Sequence, residues 1–131
     1  MNLIEGLDIE YINVHDSELD AKMNLSSFHS QPFGLLHGGA TIAFAETVSS
    51  HASNLIIDSE QGAVGQTIVA HHMKSKLAEG YVIAKGTLMH KGKKTHVWGL
   101  EICDENDVLI SYVTATNAII NFGTNKLNLI K

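Results

Sequence analysis

The sequence predicts an α+β fold in which one long helix packs against an antiparallel sheet. Between residues 40 and 57, apolar side chains recur every three or four positions and neither proline nor glycine interrupts them, which is typical of a helix. Before and after this segment the apolar pattern has a period of two, which is typical of strands. The chain has 131 residues, of which 44% are hydrophobic. We therefore expect a single domain spanning residues 1–131 with one core.

The N-terminal part of the chain predicts a hairpin. Apolar residues recur at partial period-two spacing in Leu3–Val14 and in Leu19–Leu25, around the polar turn His15-Asp16-Ser17. The only proline, Pro32, then opens a stretch of small residues, QPFGLLHGGA, that separates the hairpin from the helix.

The predicted helix, Ala40–Ile57, is rich in alanine and serine and is apolar over much of its circumference. Its only charged side chain before Asp58 is Glu46, apart from His51 when protonated. Small residues allow close approach, so we expect a strongly curved sheet to wrap around this helix. A carboxylate in such a helix is paired, exposed at an edge, or functional, because burying it uncompensated is costly.

Downstream of the helix the pattern predicts four strands, which are rich in β-branched and aromatic residues. They are Val64–Lys76, Tyr81–His90, Thr95–Cys103 and Val108–Ile120. Because the turns between them are short, we expect each strand to be the antiparallel neighbour of the next, as a four-stranded meander. With the N-terminal hairpin, the sheet would contain about five to six strands.

Composition excludes several classes of protein. Nine basic residues, all of them lysine, stand against 14 acidic ones, so the formal net charge is −5. A broad nucleic-acid-binding surface needs clustered cations and usually arginine, so we expect no nucleic-acid partner. No apolar run approaches the roughly 18 residues of a membrane span. The single cysteine, Cys103, and an acidic start that lacks the basic region of a secretory signal indicate a cytoplasmic protein.

The lysines are concentrated in one acid-free segment between Glu79 and Glu101. The cationic and titratable residues of this segment are Lys85, Lys91, Lys93, Lys94, His90 and His96. A mildly acidic protein with one local cationic patch is suited to a small anionic ligand. Charge alone favours solvated lysines beside a turn, so the patch needs independent support.

Two features of the helix could support acyl chemistry. Glu46 could act as a general base or as a nucleophile toward an acyl carbon, or it could be an exposed residue at the helix margin. His37-Gly38-Gly39 lies at the helix N-terminus, where free backbone N–H groups and the helix dipole can polarise a carbonyl. Gln31, from the same loop, could supply a side-chain N–H donor.

The eight histidines do not form a recognisable metal motif. His71 and His72 are adjacent, so on a strand they would point to opposite faces. The sequence contains no HExxH motif and no Cys/His cluster, and we expect no metal site. The Gly86–Thr95 segment departs from a phosphate-binding loop in its spacing and connects two predicted strands, which excludes a nucleotide-hydrolysing loop.

Taken together, these motifs resemble the hotdog fold, and specifically the phenylacetate-pathway (PaaI-like) thioesterase group. The resemblance covers residues 5 to 121 and leaves a short C-terminal tail, 122–131. The matching segments are Gln31–Ala40, Ala45–Thr47, Val64-Gly65, Ala70–His72, Leu88–Gly92, Val97-Trp98 and Glu101–Glu105. The fold it implies is a long central helix wrapped by a curved antiparallel sheet.

The resemblance also implies catalytic roles. The residue matching Glu46 attacks the thioester carbon or activates water to attack it, and the N–H of the glycine matching Gly38 binds the thioester oxygen. Gln31 matches a glutamine that contacts the same region, and His37 matches a histidine that shapes the loop. The implied activity is hydrolysis of an acyl-CoA thioester to the free acid and coenzyme A.

Five further residues match substrate-binding positions. Ser50 matches a hydroxyl near the attacking water, and His72 matches a histidine that lines the acyl pocket. His90, Lys91 and Gly92 match the stretch that contacts the pantetheine and phosphates of coenzyme A. No cofactor is implied, because coenzyme A is part of the substrate.

The resemblance leaves the acyl group open among aroyl and medium-sized acyl groups, including phenylacetyl, hydroxybenzoyl and dihydroxynaphthoyl. Apolar candidates for the acyl pocket are Leu35, Phe44, Val48 and Met73.

The resemblance also implies an assembly, a homodimer or a homotetramer built from two dimers, with each active site at a subunit interface. A chain this short would otherwise leave a long sheet edge open. Two alternatives to a thioesterase share the fold: a hotdog dehydratase acting on acyl-carrier substrates, whose His-Phe-Pro loop signature is missing here, and a non-catalytic acyl-CoA-binding module.

Overall fold

The computed structural model describes residues 1–123, so most of the predicted tail, residues 124–131, lies outside the described residues. Within these described residues, two α-helices, one short 3₁₀ helix and six strands follow one another. In chain order they are α1 (Leu3–Leu7), β1 (Ile9–His15), β2 (Glu18–Asn24), the 3₁₀ helix (Ser27–His29), α2 (Gly38–Asn54), β3 (Gln61–His72), β4 (Tyr81–Lys91), β5 (Thr95–Cys103) and β6 (Leu109–Asn121).

The N-terminal hairpin is confirmed, but the prediction that its first strand begins at Leu3 is wrong. Residues Leu3–Leu7 form a helical turn, because the Asn2 side chain caps it by accepting a hydrogen bond from the Glu5 N–H (2.9 Å). Asp8 ends this turn in the left-handed region, with φ of 57°. The partial period of two in this segment therefore begins to describe a strand only at Ile9.

The central helix was predicted as Ala40–Ile57, and α2 runs two residues earlier at its start and three earlier at its end, as Gly38–Asn54. β3 also ends earlier than predicted, at His72 instead of Lys76. The fifth strand has the predicted bounds, Thr95–Cys103.

The four-stranded meander is wrong in one connection. The six strands form a single sheet in the order β1-β2-β4-β5-β6-β3, in which every neighbouring pair is antiparallel. β4, β5 and β6 do form a meander, but β3 pairs with β6 and β4 pairs with β2. The connection from β3 to β4 therefore crosses from one edge of the sheet to its interior.

This connection does not turn tightly because its residues pair with the loop that precedes α2. The Leu36 N–H donates to the Lys76 carbonyl (2.8 Å), and the Ala78 N–H donates to the Gly34 carbonyl (3.0 Å). Leu35 and Leu77 form an isolated antiparallel bridge between the same two segments. These bonds satisfy backbone groups that a tight hairpin would have paired internally, so a short segment can still be a crossover.

The sheet curves around α2. The helix contacts the strands at both ends of the sheet, β1 and β3, as well as β2, β5 and β6. The largest side chains of the resulting core are fully buried, among them Trp98, Phe44 and Leu100. This is the predicted hotdog arrangement: one long helix wrapped by a curved antiparallel sheet.

β3 leaves a long edge for further pairing. It has 12 residues, lies at the end of the sheet, and within residues 1–123 it pairs with β6 alone. Val64 and Val69 on this strand are exposed in the single chain. Within residues 1–123 there is also no helix that is long and apolar enough to cross a membrane.

Candidate active site

The N-terminus of α2 presents one unpaired backbone donor. His37 caps the helix: its Nδ1 accepts from the Gly39 N–H (2.8 Å), and its carbonyl accepts from Ala40 (3.0 Å) and Thr41 (3.3 Å). Among residues 1–123, the Gly38 N–H has no hydrogen-bond partner. His37 thus pairs the N–H groups of the three residues that follow Gly38, and the Gly38 N–H stays free at the positive end of the helix dipole.

His72, at the end of β3, lies directly over this glycine. A Cβ atom on Gly38 would stand 2.8 Å from His72 Nε2, so a side chain here would press on the imidazole. Nδ1 of His72 lies 2.8 Å from the hydroxyl of Ser111, its cross-strand partner on β6. Sequence reasoning missed Ser111, because only the register of β3 against β6 brings the two residues together.

A cavity of about 290 Å³ opens beside Gly38. Gln31, His72 and Ser111 line it, so three polar side chains meet the free N–H group. The Gln31 Oε1 accepts from the Phe33 N–H (2.5 Å) and the Leu35 N–H (3.2 Å), which holds the side chain against its own loop. Its Nε2 makes no hydrogen bond within residues 1–123, which leaves two N–H donors on this amide.

Two of the four predicted acyl-pocket residues line this cavity, Leu35 and Met73. The other two, Phe44 and Val48, are fully buried in the core between α2 and the sheet. Their selection as pocket residues is therefore wrong, because they occupy the sheet-facing side of the helix.

Glu46 lies away from this cavity, on the exposed side of α2 next to β3. Its carboxylate rests on Gly65, where a Cβ atom would stand 2.5 Å from Oε2. Eight residues of helix separate Gly38 from Glu46, a rise of about 12 Å. Ser50, one turn further along, is half-buried and its hydroxyl donates to the Thr47 carbonyl (3.2 Å).

Three lysines of the acid-free segment lie at the turn between β4 and β5, near the C-terminal end of α2. Lys91, Gly92, Lys93 and Lys94 line a cavity of about 450 Å³ there. His90 is exposed on β4, and its ring folds over Gly92. Three lysines thus converge on one turn.

The fourth lysine of the segment, Lys85, is bonded to Asp107 and does not join the cavity. The local cationic patch is therefore smaller than the sequence alone indicated.

Beneath this turn, a buried polar network joins the helix to the sheet. The Trp98 Nε1–H donates to the Ser53 hydroxyl (2.8 Å), and the hydroxyl lies 2.8 Å from His96 Nδ1. Burial lowers the pKa of His96, and the positive charges of Lys91 and His90 lower that pKa further.

Within residues 1–123, no three His, Cys, Asp or Glu side chains are grouped closely enough to hold a metal ion.

Comparison with known families assigns the chain to a class of enzymes. The sequence profile of the thioesterase superfamily matches residues 33–111, which include Gly38, Glu46 and His72. The chain belongs to the thioesterase superfamily. It is a thioester hydrolase, as the sequence predicts.

Two solved structures share the fold, and one curated relative supports the activity. The chain is 40% identical over 119 residues to the 1,4-dihydroxy-2-naphthoyl-CoA hydrolase of Escherichia coli, covering 91% of this chain and 87% of that enzyme. The crystal structure of yhdA from Lactococcus lactis matches with a TM-score of 0.90 and 42% identity, covering 94% and 100% of the two chains. The E. coli PaaI protein of the phenylacetic acid degradation operon matches in fold, with a TM-score of 0.80 and 19% identity. The match covers 90% of this chain and 83% of that protein. The superfamily and the relative together identify an acyl-CoA thioesterase.

Proposed function

We propose that this thioesterase hydrolyses an aroyl- or medium-sized acyl-CoA, with Glu46 as its general base or nucleophile and the Gly38 N–H as its carbonyl polariser. As a base, Glu46 takes a proton from water while the water oxygen bonds to the acyl carbon. The C–S bond then breaks and the proton passes to the departing thiolate, giving the free acid and coenzyme A. As a nucleophile, the Glu46 carboxylate bonds to the acyl carbon, the C–S bond breaks and the thiolate of coenzyme A leaves, giving a mixed anhydride. Water then attacks the anhydride, which releases the free acid and restores the Glu46 carboxylate, and the proton from water passes to the thiolate.

The single observation that supports this proposal most strongly is the free Gly38 N–H in a cavity lined by Gln31 and His72. A thioester oxygen placed there would accept a hydrogen bond at the positive end of α2 and would lie within reach of the Gln31 amide. Such fixed donors stabilise the charge that develops on the carbonyl oxygen during attack. Leu35 and Met73 offer apolar contacts to the acyl group in the same cavity.

The spacing along α2 favours a site that two subunits complete. The roughly 12 Å between Gly38 and Glu46 is too long for both to act on one carbonyl group within a single chain. Glu46 lies against Gly65 on the unpaired edge of β3, where a second copy would add its own β3 and close the sheet. We propose a homodimer, alone or within a homotetramer, in which Glu46 of one subunit faces Gly38 of the other.

The remaining predicted residues have roles that fit this assembly. Ser50 would hold the attacking water beside Glu46, and His72 would line the acyl pocket next to Gly38. His90, Lys91 and Gly92 would contact the pantetheine and phosphates of coenzyme A, which enters as part of the substrate and not as a cofactor. The buried single thiol of Cys103 fits a protein that works in the reducing cytoplasm.

The Escherichia coli relative indicates which substrates to test first. It is named for a 1,4-dihydroxy-2-naphthoyl-CoA substrate and is 40% identical to this chain. We therefore propose an aroyl-CoA as the preferred class. A panel of aroyl- and alkanoyl-CoA thioesters, compared by kcat/KM with release of the free thiol as readout, tests this preference. Equal or higher kcat/KM for the alkanoyl thioesters would contradict it.

The catalytic assignment is tested by Glu46→Gln, which removes the charge and the basicity but keeps the size of the side chain. We expect turnover to be lost while substrate binding is largely retained. Glu18→Gln is the matched control, because Glu18 is an exposed glutamate on β2. A Glu46→Gln enzyme with turnover near that of the control would exclude Glu46 as the base or nucleophile.

A further inference from the structure

The core of this thioesterase contains one asparagine whose side chain has no hydrogen-bond partner. Asn117 on β6 is fully buried, and within residues 1–123 neither its Oδ1 nor its Nδ2 makes a hydrogen bond. An amide buried in this way is destabilising, and a native protein that keeps one calls for an explanation. Because Asn117 is inaccessible within a single chain, a second subunit cannot supply its partner by docking.

The register of the sheet places Asn117 beside Glu46. Asn117 stands directly opposite Gly65 on β3, and residues paired in this way point to the same face with Cβ positions about 5 Å apart. Gly65 is the residue on which the Glu46 carboxylate rests, with Oε2 2.5 Å from the position of a Cβ atom. The Cβ atom of Asn117 is thus within about 8 Å of the carboxylate, and the amide group itself spans part of that distance.

The other neighbour of Asn117 is already engaged. On its opposite side Asn117 pairs with His96 of β5, whose Nδ1 contacts the Ser53 hydroxyl. Ser53 in turn accepts from Trp98. This network engages Nδ1 of His96 and the Ser53 hydroxyl, whereas on the side of Gly65 the charged acceptor is the Glu46 carboxylate.

We propose that Asn117 is a positioning residue for Glu46. Its Nδ2–H group donates to one buried water, which in turn donates to the inner carboxylate oxygen, so that the outer oxygen faces the substrate. An exposed glutamate has several rotatable bonds. A hydrogen bond from the buried side restricts them in advance, so the side chain loses less conformational entropy at each turnover. This inference rests on the proposed function, because it assigns to Asn117 the orientation of a catalytic Glu46.

The test compares Asn117→Leu, which is close in size and apolar, with the wild-type enzyme. We expect kcat to fall about 10- to 100-fold, the worth of one hydrogen bond to a charged group, while KM changes less than about twofold. Thermal stability at fixed protein concentration should stay the same or rise, because an apolar side chain replaces a buried amide whose Oδ1 has no partner within residues 1–123. Asn117→Thr puts a hydroxyl donor in place of the amide and should recover part of kcat.

Asn54→Leu is the matched structural control. Both polar atoms of the Asn54 amide bond to Ala63, with Nδ2 donating to its carbonyl (3.1 Å) and Oδ1 accepting from its N–H (2.9 Å). Its loss should lower the Tm. An Asn117→Leu enzyme that loses stability as the control does, or fails to fold, would give Asn117 a structural role and overturn the proposal. Wild-type kcat in Asn117→Leu would also overturn it.

Failure of this inference is distinguishable from failure of the proposed function. If Glu46→Gln abolishes turnover while Asn117→Leu does not affect it, Glu46 remains catalytic and only the positioning role is wrong. If Glu46→Gln retains turnover, the catalytic assignment itself is wrong, whatever the result at Asn117.

Discussion

Gly38 offers a way to test the carbonyl-polarising donor by removing one backbone N–H group. Gly38→Pro removes the backbone N–H and is compatible with the start of a helix, where proline is favoured. The preceding residue, His37, already has the extended conformation (φ −69°, ψ 128°) that a following proline requires. Because the Gly38 N–H makes no hydrogen bond within residues 1–123, its removal breaks none of the described bonds of the fold.

Gly38→Ala is the matched variant, because alanine adds the same Cβ atom but keeps the N–H. In both variants this atom meets the His72 imidazole, at 2.8 Å from Nε2 in the unrelaxed structure, so the steric effect of the Cβ atom is shared. Loss of one oxyanion donor typically lowers kcat by about 100- to 1000-fold, or about 2.7–4 kcal/mol. We expect the proline variant to be slower than the alanine variant by this factor.

The assay is thiol release from an aroyl-CoA at saturating substrate, with kcat and KM determined for both variants. Circular dichroism and the Tm establish that both are folded. If the proline variant turned over within about threefold of the alanine variant, the Gly38 N–H would not be the polarising donor and the reasoning from the helix N-terminus would be refuted.

Three further predictions concern assembly, substrate charge and pH. Mixing Glu46→Gln with Gly38→Pro under subunit exchange should restore about a quarter of wild-type activity, because half of the dimers are mixed and each has one intact site. Replacing Lys93-Lys94 by glutamine should raise KM for acyl-CoA about two- to fivefold per lysine with kcat unchanged, and should weaken the rise of KM with salt. Stability should fall as the pH is lowered from about 6.5, because the unfolded chain protonates His96 before the folded protein does.

Each of these predictions has its own control and its own contrary result. Restored activity that does not exceed the sum of the two separate variants would mean that each site lies within one chain. Lys85→Gln should leave KM unchanged, since Lys85 is bonded to Asp107. If KM rose as much in Lys85→Gln as on replacement of Lys93 or Lys94, the effect would come from net charge and not from a local site. The pH dependence of the Tm should weaken in His96→Asn and persist in His15→Asn, whose histidine is exposed; an unchanged slope in both would contradict the role of His96.

Local patterns in the sequence were sufficient for most elements of the fold. The helix was recognisable because its apolar spacing is uninterrupted, and β5 because alternation and flanking turns coincide at its ends. The meander prediction is wrong at one connection, the one between β3 and β4. There the N–H groups of Leu36 and Ala78 donate hydrogen bonds between two loops that are distant in sequence. Such pairing leaves no periodic signal in either segment, so a short linker was taken for a turn.

The residues of the candidate site divide in the same way, into those that local sequence reveals and those that only the strand register reveals. The motif around Gly38 could be recognised from glycines at a predicted helix start, and Glu46 from its isolation in an apolar helix. Ser111 and Asn117 could not, because their importance depends on which residue stands opposite each of them on β3. Phe44 and Val48 were misassigned because the sequence does not specify which side of a nearly apolar helix faces the sheet.

The sequence by itself determined the fold class, the family and the chemical identity of the central residues, because these depend on residue type and short-range spacing. Only the tertiary structure decided that Gly38 and Glu46 lie on different surfaces, that Glu46 rests on a sheet edge, and that Asn117 lies beneath that edge. Strand order and register are set by contacts between segments far apart in the chain, and the face that each residue presents follows from that register.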